Sequence, residues 1–239
     1  MASSITVAIP VGPEAHHCEW LRECLDSVAA QTEPPHTILL VDDMHGLRQH
    51  DGWLAEWAPG HRLGGVRERD GIRVDRYEAP WRLGVPGAFN FGVALARTEL
   101  VFMLGADDRM LPGCLEACRL AYEREGGRDG YYYAAVRYLD DRDDQNVPCN
   151  EAMVTKGLWR ATGGFAPETG VGGCDAALIS AMMVHKPNDI IRIGEEPLVE
   201  YRPHPNTDTA MRGPWQGAIL EARRILTDGW RAPTWGRFR

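Results

Sequence analysis

Short apolar runs alternate with amphipathic stretches through the first half of this chain. Residues 5–11 (Ile-Thr-Val-Ala-Ile-Pro-Val) and residues 36–41 are apolar, β-rich runs, which predicts two buried strands. Between them, apolar residues recur at helical spacing over residues 18–31, which predicts an amphipathic helix that is ended by the prolines at 34–35. The pattern therefore begins as strand, helix, strand.

The same alternation continues to residue 124. It predicts, in order, a short helix at 51–57, a strand at 72–77, a helix at 86–97, a strand at 100–104 and a helix at 112–124, with the rest of 45–70 as loop. Strands that alternate with helices predict an α/β fold with a doubly wound, mostly parallel sheet. Ligands of such sheets lie beyond the carboxyl ends of the strands.

The second half has a different pattern, with more aromatic residues and shorter strands. It predicts strands at 131–139, 153–156, 190–193 and 198–201, and helices at 157–161, 174–185 and 216–226. The tail from residue 228 holds two tryptophans among Pro, Gly and Arg residues, which predicts irregular structure. With 239 residues and no internal repeat, the chain fits one α/β domain of generous size.

Composition narrows the function classes. A net charge of −8 and a pI of about 5.5 disfavour binding to nucleic acids or to anionic membranes, which attract basic faces. The six cysteines form no Cys-x-x-Cys pair, which disfavours a structural zinc site. No apolar run reaches the length of a membrane span and the N-terminus lacks the features of a signal peptide, so we expect a cytoplasmic protein with reduced thiols. Homo-oligomerisation stays open.

Two acidic pairs follow two of the predicted strands. Asp42-Asp43 comes after the second strand and Asp107-Asp108 after the fourth, so both pairs are expected to face one crevice. Adjacent carboxylates repel each other unless a cation lies beside them, and oxygen-only ligands suit Mg²⁺ or Mn²⁺. In the alternative interpretation, Asp108 caps the following helix and Asp42 belongs to a turn. The pairs alone do not decide between these interpretations.

Residues 81–92 carry three glycines and an Asn at the start of the third predicted helix. Glycines permit a close approach of the backbone to a ligand, and a helix N-terminus favours anions. The spacing differs from that of a Walker phosphate loop, because Gly-Lys-Ser/Thr is absent.

Motifs in a fixed order make the chain resemble a known family. They are Ile-Pro-Val at 9–11, Leu-Asp-Ser-Val-Ala-Ala-Gln at 25–31, Leu-Val-Asp-Asp at 40–43, Arg-x-Gly and Ala-x-Asn-x-Gly within 82–92, Leu-Gly-Ala-Asp-Asp at 104–108, Gly-Gly-Phe at 163–165, Gly-Cys-Asp at 173–175 and Tyr-Arg-Pro-His-Pro at 201–205. Over about residues 5–206 the chain resembles the family 2 glycosyltransferases. That resemblance implies a GT-A type fold, a single Rossmann-like domain with a smaller acceptor-side subregion, and a nucleotide diphosphate sugar as donor.

Residue by residue, the resemblance implies a pocket for the donor nucleotide. Pro10 and Val11 would line the nucleotide pocket, and Asp42 would hydrogen-bond the base. Arg82 would lie near the base or the phosphates, and Asp107 would approach the ribose and the metal.

The resemblance also implies a metal and a general base. Asp108 would be the closest ligand of Mn²⁺ or Mg²⁺, with Asp107 and His204 within reach of the metal or the diphosphate, and Asp175 would be the general base. The implied reaction is inverting transfer from a nucleotide diphosphate sugar, with UDP favoured, to an acceptor hydroxyl. The acceptor stays open among a glycan, a lipid-linked sugar, a protein and a metabolite. Residues 1–110 would form the nucleotide-sugar-binding half, residues 111–227 the acceptor-binding and catalytic half, and residues 228–239 an irregular tail.

Two departures from the family pattern keep alternatives open. Gly105 stands where the family often has the leading carboxylate of Asp-x-Asp-Asp, and Cys174 stands where it usually has the Glu before the base. Both motivate a catalytically degenerate nucleotide-sugar-binding module as one alternative. The other is a nucleotidyltransferase, which would normally show a Gly-rich loop with Lys or Arg after the first strand, whereas residues 12–17 read Gly-Pro-Glu-Ala-His-His.

Overall fold

The computed structural model describes residues 4–13, 15–44, 47, 50–58, 66–140, 143–166 and 174–205. Within them the strands are β1 (Ile5–Val11), β2 (Thr37–Asp42), β3 (Val66–Arg69), β4 (Ile72–Glu78), β5 (Leu100–Met103), β6 (Arg109–Met110), β7 (Tyr131–Tyr138), β8 (Ala152–Thr155) and β9 (Ile190–Tyr201). The helices are α1 (Ala15–Ala29), α2 (Asp51–Trp57), α3 (Gly84–Leu95), α4 (Cys114–Arg124), α5 (Lys156–Thr162) and α6 (Cys174–His185), with a 3₁₀ turn at Pro187–Asp189 before β9.

All of the described strands join one sheet in the order β3-β4-β2-β1-β5-β8-β7-β9-β6. The strands β4, β2, β1 and β5 run parallel to one another, so their carboxyl ends meet at one edge. Antiparallel pairing brings in β3, β8 and β6. The predicted α/β fold with a mostly parallel central sheet is confirmed, and the antiparallel β8 extends that sheet from β5 with a strand from the second half of the chain.

Helices cover both faces of the sheet, which explains why the central strands are apolar along their whole length. On one face, Val7 and Ile9 of β1 belong to a core with Leu21 and Leu25 of α1, together with residues of α2 and α4. On the other face, Ala8 belongs to a core that includes residues of α3, α5 and α6. The alternation of side chains along β1 therefore feeds two cores, one on each side of the sheet.

The structure differs from the predicted elements mainly in the second half and in a hairpin. Residues 66–69, predicted as loop, form β3 and pair antiparallel with β4 across a turn in which Asp70 and Gly71 have φ of 50° and 83°. Two successive residues with positive φ are typical of a tight two-residue β-hairpin turn. The strand was not predicted because β3 consists mostly of charged residues. The two short strands predicted at 190–193 and 198–201 are one continuous strand, β9. The helix predicted at 216–226 and the tail at 228–239 lie outside the described residues.

The described residues contain neither a membrane-spanning helix nor a disulfide bond. No helix in the described ranges combines the length and the apolar character that crossing a membrane requires. The five cysteines with described side chains form no disulfide bond.

Candidate active site

The turn after β5 brings two carboxylates to the edge of the sheet. Leu104 still continues the pairing with β1, because its amide donates to the carbonyl oxygen of Ala8 at 3.1 Å, and the chain then turns, with the amide of Asp108 donating to Gly105 at 3.3 Å. Asp108 is buried and Asp107 is half-buried. The N-cap of α4 is Gly113, so Asp108 does not serve as the cap of that helix.

Gly105 makes room for both carboxylates. A Cβ atom at this position would lie 2.7 Å from Oδ2 of Asp108 and 2.9 Å from Oδ1 of Asp107. The two oxygens therefore converge on the space that a side chain at position 105 would fill.

The segment after β9 closes over this acidic turn. The backbone amide of Arg202 donates to Oδ1 of Asp108 at 2.8 Å, and its guanidinium donates to the carbonyl oxygen of Asp107 at 3.1 Å. Nε2 of His204 lies 2.9 Å from Oδ2 of Asp107. The structure thus places His204 beside Asp107.

Helix α1 anchors the same segment from the other side. The guanidinium of Arg202 forms an ion pair with Glu23 at 2.5 Å and lies 5.1 Å above the ring of Trp20. The ring of His204 packs against that Trp at a centroid distance of 4.8 Å. Trp20 therefore contacts His204 directly, and Glu23 holds Arg202 of the same segment. No sequence motif pointed to Trp20 or Glu23.

Glu151, which sequence reasoning missed, also reaches the acidic turn. Strand β8 runs antiparallel to β5 with Ala152 opposite Met103, so the residue just before β8 lies beside the residues just after β5. Glu151 is 3% exposed and its side chain hydrogen-bonds that of Asp108. No short motif could have found Glu151, because its place depends on the pairing of strands about fifty residues apart.

The shared burial of these carboxyl groups raises their pKa values. Burial raises the pKa of Glu151 to about 7. Burial also raises the pKa of Asp108 well above its usual range, and the neighbouring charges of Asp107 and Glu151 raise it further. Like charges held together out of water favour the protonated form of a carboxyl group, which is why both pKa values rise.

Asp175 lies on the same side of the site. It is in the first turn of α6 and half-buried, and it accepts hydrogen bonds from the backbone amides of Ala176 and Asn150. Burial raises its pKa, and its charge is felt at Glu151. The neighbouring Cys174 is buried and packs in the apolar core that includes α3, α5 and α6. The structure thus brings Asp108, Glu151 and Asp175 together from three separate parts of the chain.

The carboxylates of Asp42 and Asp43 accept hydrogen bonds from other groups of the protein. Asp42 is fully buried and accepts hydrogen bonds from the guanidinium of Arg76, at 2.6 and 3.2 Å, and from the amide of Leu47 at 3.0 Å. Contact between Asp42 and a nucleobase therefore requires Arg76 to share or release this carboxylate. Pro10 and Val11 lie beside it, because they pair with Val41 and Asp42 in the sheet.

Asp43 fixes the glycine-containing loop that precedes α3. Its carboxylate accepts from the amides of Leu83 at 2.7 Å and Gly84 at 3.0 Å, and it lies 3.3 Å from the guanidinium of Arg82. The anion expected at this helix N-terminus is therefore supplied by the protein itself. The side chain of Arg82 is half-exposed and pairs with Asp43.

The side chains around Asp108 are of the chemical types that bind a hard divalent cation. Carboxylates of Asp107, Asp108 and Glu151, with the imidazole of His204, are ligands that Mg²⁺ or Mn²⁺ accepts. The convergence of two carboxylates over Gly105 adds a place where such a cation would be held. In their present arrangement, the described His, Cys, Asp and Glu side chains contain no group of three or more set to hold a metal ion. The carboxylates are instead satisfied in pairs, Asp108 with Glu151 and Asp107 with His204.

The fold resembles that of solved structures of S. aureus TarS. The chain is similar to residues 1–349 of S. aureus TarS in complex with UDP-GlcNAc, with a TM-score of 0.71, 12% identity and coverage of 94% of this chain and 67% of that chain. For the complex of the same TarS residues with UDP, the TM-score is 0.68 at 12% identity, with 93% of this chain and 64% of that chain covered. A further S. aureus TarS structure is similar with a TM-score of 0.68 at 13% identity over 94% of this chain and 40% of that chain. The chain thus spans about two thirds or less of the length of these structures.

The sequence itself gives the family. No match was found among curated proteins. The family model described as "Glycosyl transferase family 2" matches residues 6–161, which cover β1 through most of α5 and include both acidic pairs and Glu151. This match covers more than half of the chain, and the fold agrees with it. The chain therefore belongs to glycosyl transferase family 2.

Proposed function

We propose that the protein transfers a sugar from a nucleotide diphosphate, with UDP favoured, to an acceptor hydroxyl with inversion at the anomeric carbon. The observation that carries this proposal is that Asp107 and Asp108 follow β5 at the carboxyl edge of the parallel strands, and that Glu151 lies close enough to both Asp108 and Asp175 for the charges to interact, in a chain of this family. The choice of UDP draws on the similar fold of S. aureus TarS, whose structures contain UDP and UDP-GlcNAc.

Asp175 is the general base in this proposal. Burial raises its pKa, which makes its carboxylate a better proton acceptor than an exposed Asp. As it takes the proton of the acceptor hydroxyl, the acceptor oxygen forms a bond to the anomeric carbon. The bond from that carbon to the β-phosphate oxygen breaks, and its electron pair leaves with the nucleoside diphosphate.

Asp108, with Asp107 and His204, would hold Mn²⁺ or Mg²⁺ beside the diphosphate. When bound, such an ion supplies positive charge that stabilises the departing diphosphate. Arg82, held at the rim by Asp43, adds positive charge near the base or the phosphates. Pro10 and Val11 line the nucleotide pocket at the end of β1, and Asp42 contacts the base once Arg76 shares its carboxylate.

The two halves of the chain divide this work. Residues 1–110 hold the nucleotide sugar and residues 111–227 hold the acceptor and supply the base. The acceptor is a glycan, a lipid-linked sugar, a protein or a metabolite.

The products released from a panel of donors test the reaction class. UDP-, GDP- and dTDP-sugars are each incubated with the protein and Mn²⁺, and the nucleotides are separated by chromatography. Because glycosyltransferases pass sugar slowly to water, we expect slow release of a nucleoside diphosphate, fastest from a UDP-sugar. Release of nucleoside monophosphate together with sugar 1-phosphate would instead identify attack at the α-phosphate, as by a nucleotidyltransferase, and tight binding without any release would identify a binding module.

The variant Asp175→Asn tests the base. It keeps the size of the side chain but cannot accept the proton, so we expect release to fall by about 10²–10⁴-fold while UDP-sugar binding, measured by calorimetry, stays within about twofold. Asp189→Asn, in the 3₁₀ turn before β9, is the matched control and keeps wild-type release. Substantial turnover by Asp175→Asn would remove this residue from the mechanism.

A further inference from the structure

We propose that Glu23 of α1 is a positioning residue of the active site. Its carboxylate joins the acidic turn after β5 (residues 105–108) to the segment after β9 (residues 202–205), which carries His204. This inference rests on the proposed function, because it concerns how the same site is held in place. Glu23 lies outside the family motifs of the sequence and acts through other residues.

Helix α1 is attached to the acidic turn near both of its ends. The thiol of Cys24 donates to the carbonyl oxygen of Gly105 at 3.4 Å, where the turn begins. The oxygen Oε1 of Glu23 accepts from the guanidinium of Arg109, the residue that directly follows Asp108. The position of the turn therefore depends on α1 as well as on β5.

The other oxygen of Glu23 holds the segment after β9. Oε2 accepts from the guanidinium of Arg202 at 2.5 Å. Arg202 donates through its backbone amide to Oδ1 of Asp108 at 2.8 Å, and through Nε to the carbonyl oxygen of Asp107 at 3.1 Å. Two residues further on, His204 lies 2.9 Å from the carboxylate of Asp107. The contacts that start at Glu23 therefore end on the side chains that the proposed function uses.

Both carboxylate oxygens of Glu23 are in use, so an ionised carboxylate suits this position. Arg109 also pairs with Glu200 of β9 at 2.6 Å, so Arg109 and Arg202 together face two carboxylates. A neutral amide at position 23 offers one accepting oxygen and directs its N–H groups toward the second guanidinium, which is itself only a donor. One of the two arginines then loses its partner, and the link between the two segments is broken.

The exposure of Glu23 separates positioning from stability. Its side chain is 41% exposed, and ion pairs of such exposed groups contribute little to the free energy of unfolding. Position is more sensitive, because a misplacement of about 1 Å in an active site costs about 10²-fold in rate. We therefore expect the loss of Glu23 to change the rate of the reaction more than the stability of the fold.

Hydrogen exchange measured by NMR tests the positioning without reference to turnover. In Glu23→Gln we expect the amide of Arg202, which donates to Asp108, to exchange about tenfold faster than in the wild type. The amide of Asp43, which donates to Val11 at 2.9 Å in the central sheet, should keep its wild-type rate. A change confined to Arg202 reports the loosening of one segment and not a general loss of stability.

The variant Glu33→Gln is the matched control. Glu33 pairs with Arg119 of α4 at 2.8 Å, and the side chains of this pair are 34% and 16% exposed, close to the 41% and 20% of Glu23 and Arg202. Glu33 lies just before β2, at the amino edge of the sheet and away from the site. We expect Glu33→Gln to keep the wild-type exchange rate at Arg202 and the wild-type kinetics.

Kinetics test whether the position matters for the reaction. Because Glu23 acts through other residues, we expect Glu23→Gln to lower kcat for nucleoside diphosphate release about tenfold or more and to leave KM for the UDP-sugar within about threefold. Arg202→Gln should lower kcat in the same way. The double variant should be no slower than the slower single variant, because both changes break one contact.

The outcomes separate this inference from the proposed function. Wild-type kcat in Glu23→Gln, or a lower kcat without faster exchange at Arg202, would overturn the positioning role and leave the transferase proposal intact. Faster exchange at Asp43 as well would also overturn it, because the variant would then be generally less stable. If the wild type released no nucleoside diphosphate from any donor, the transferase proposal would fail, and the exchange at Arg202 would still decide whether Glu23 holds the segment.

Discussion

At Gly105, the lack of a side chain leaves room for two carboxylates. The sequence suggested that this glycine removes an acidic group from the site, because a carboxylate often stands there in the family. The structure adds that Asp107 Oδ1 and Asp108 Oδ2 lie against the position of the missing Cβ, and that Glu151 brings a carboxylate from β8. At this scale the departure from the motif leaves space that the carboxylates of Asp107 and Asp108 occupy.

The variant Gly105→Ala tests the space between the carboxylates. Because the new Cβ would lie within 2.9 Å of both oxygens, at least one carboxylate must move away. We expect nucleoside diphosphate release in the presence of Mn²⁺ to fall about tenfold or more, and the free energy of unfolding to fall by about 1–3 kcal/mol. Gly194→Ala is the control, since a Cβ there meets no atom within 4 Å. Equal activity of the two variants would contradict the crowding at Gly105.

At the scale of elements, helix α3 shows that a family motif serves packing. Within Ala-x-Asn-x-Gly, a Cβ on Gly92 would lie 3.0 Å from that of Ala8, so this glycine lets α3 approach β1. The Asn90 side chain donates to the carbonyl of Phe165 at 2.8 Å and accepts from its amide at 3.0 Å. The motif therefore ties α3 both to the sheet and to the segment that follows α5.

The variant Asn90→Ala tests this link between elements. It removes two buried hydrogen bonds and leaves the backbone groups of Phe165 without their partner, so we expect the free energy of unfolding to fall by about 2–3 kcal/mol. Denaturant titration followed by circular dichroism measures the change. Asn188→Ala, at an exposed position of the 3₁₀ turn before β9, is the control and should stay within about 0.5 kcal/mol of wild type. A similar small effect at Asn90 would mean that other contacts hold the Gly-Gly-Phe segment.

At the scale of the whole molecule, the site is assembled from parts far apart in the chain. Asp107 and Asp108 follow β5, while Glu151 precedes β8 and Asp175 starts α6. His204 arrives from the segment after β9, which α1 holds through Arg202. A ligand that contacts several of these parts binds only the folded state, so it should stabilise the entire domain.

Ligand binding should therefore raise the melting temperature. At a concentration of 100 Kd, a ligand adds about 2.7 kcal/mol to the free energy of unfolding, which corresponds to a shift of about 5–10 °C for a domain of this size. We expect this shift for UDP with Mn²⁺ in differential scanning fluorimetry, smaller shifts for GDP and dTDP, and little shift for UDP in Asp108→Ala. A larger shift with GDP or dTDP than with UDP would overturn the choice of base.

Much of the fold and the family could be predicted from the sequence, because both depend on local patterns. The apolar run of β1 matches the prediction residue for residue, and the helix at 174–185 does so as well. The prediction of a family 2 glycosyltransferase is confirmed by the family match. The roles predicted for individual site residues stay predictions, and the experiments above test them.

The sequence by itself determined that Asp107 and Asp108 lie at the carboxyl end of a buried strand, since a strand and the turn after it depend on neighbouring residues. Only the tertiary structure decided which groups surround them. Glu151 reaches Asp108 through the antiparallel register of β5 and β8, and Asp42 is paired with Arg76 through the parallel register of β2 and β4. Such partners are set by pairing between distant strands, and the charge of each site residue depends on the burial that this pairing creates.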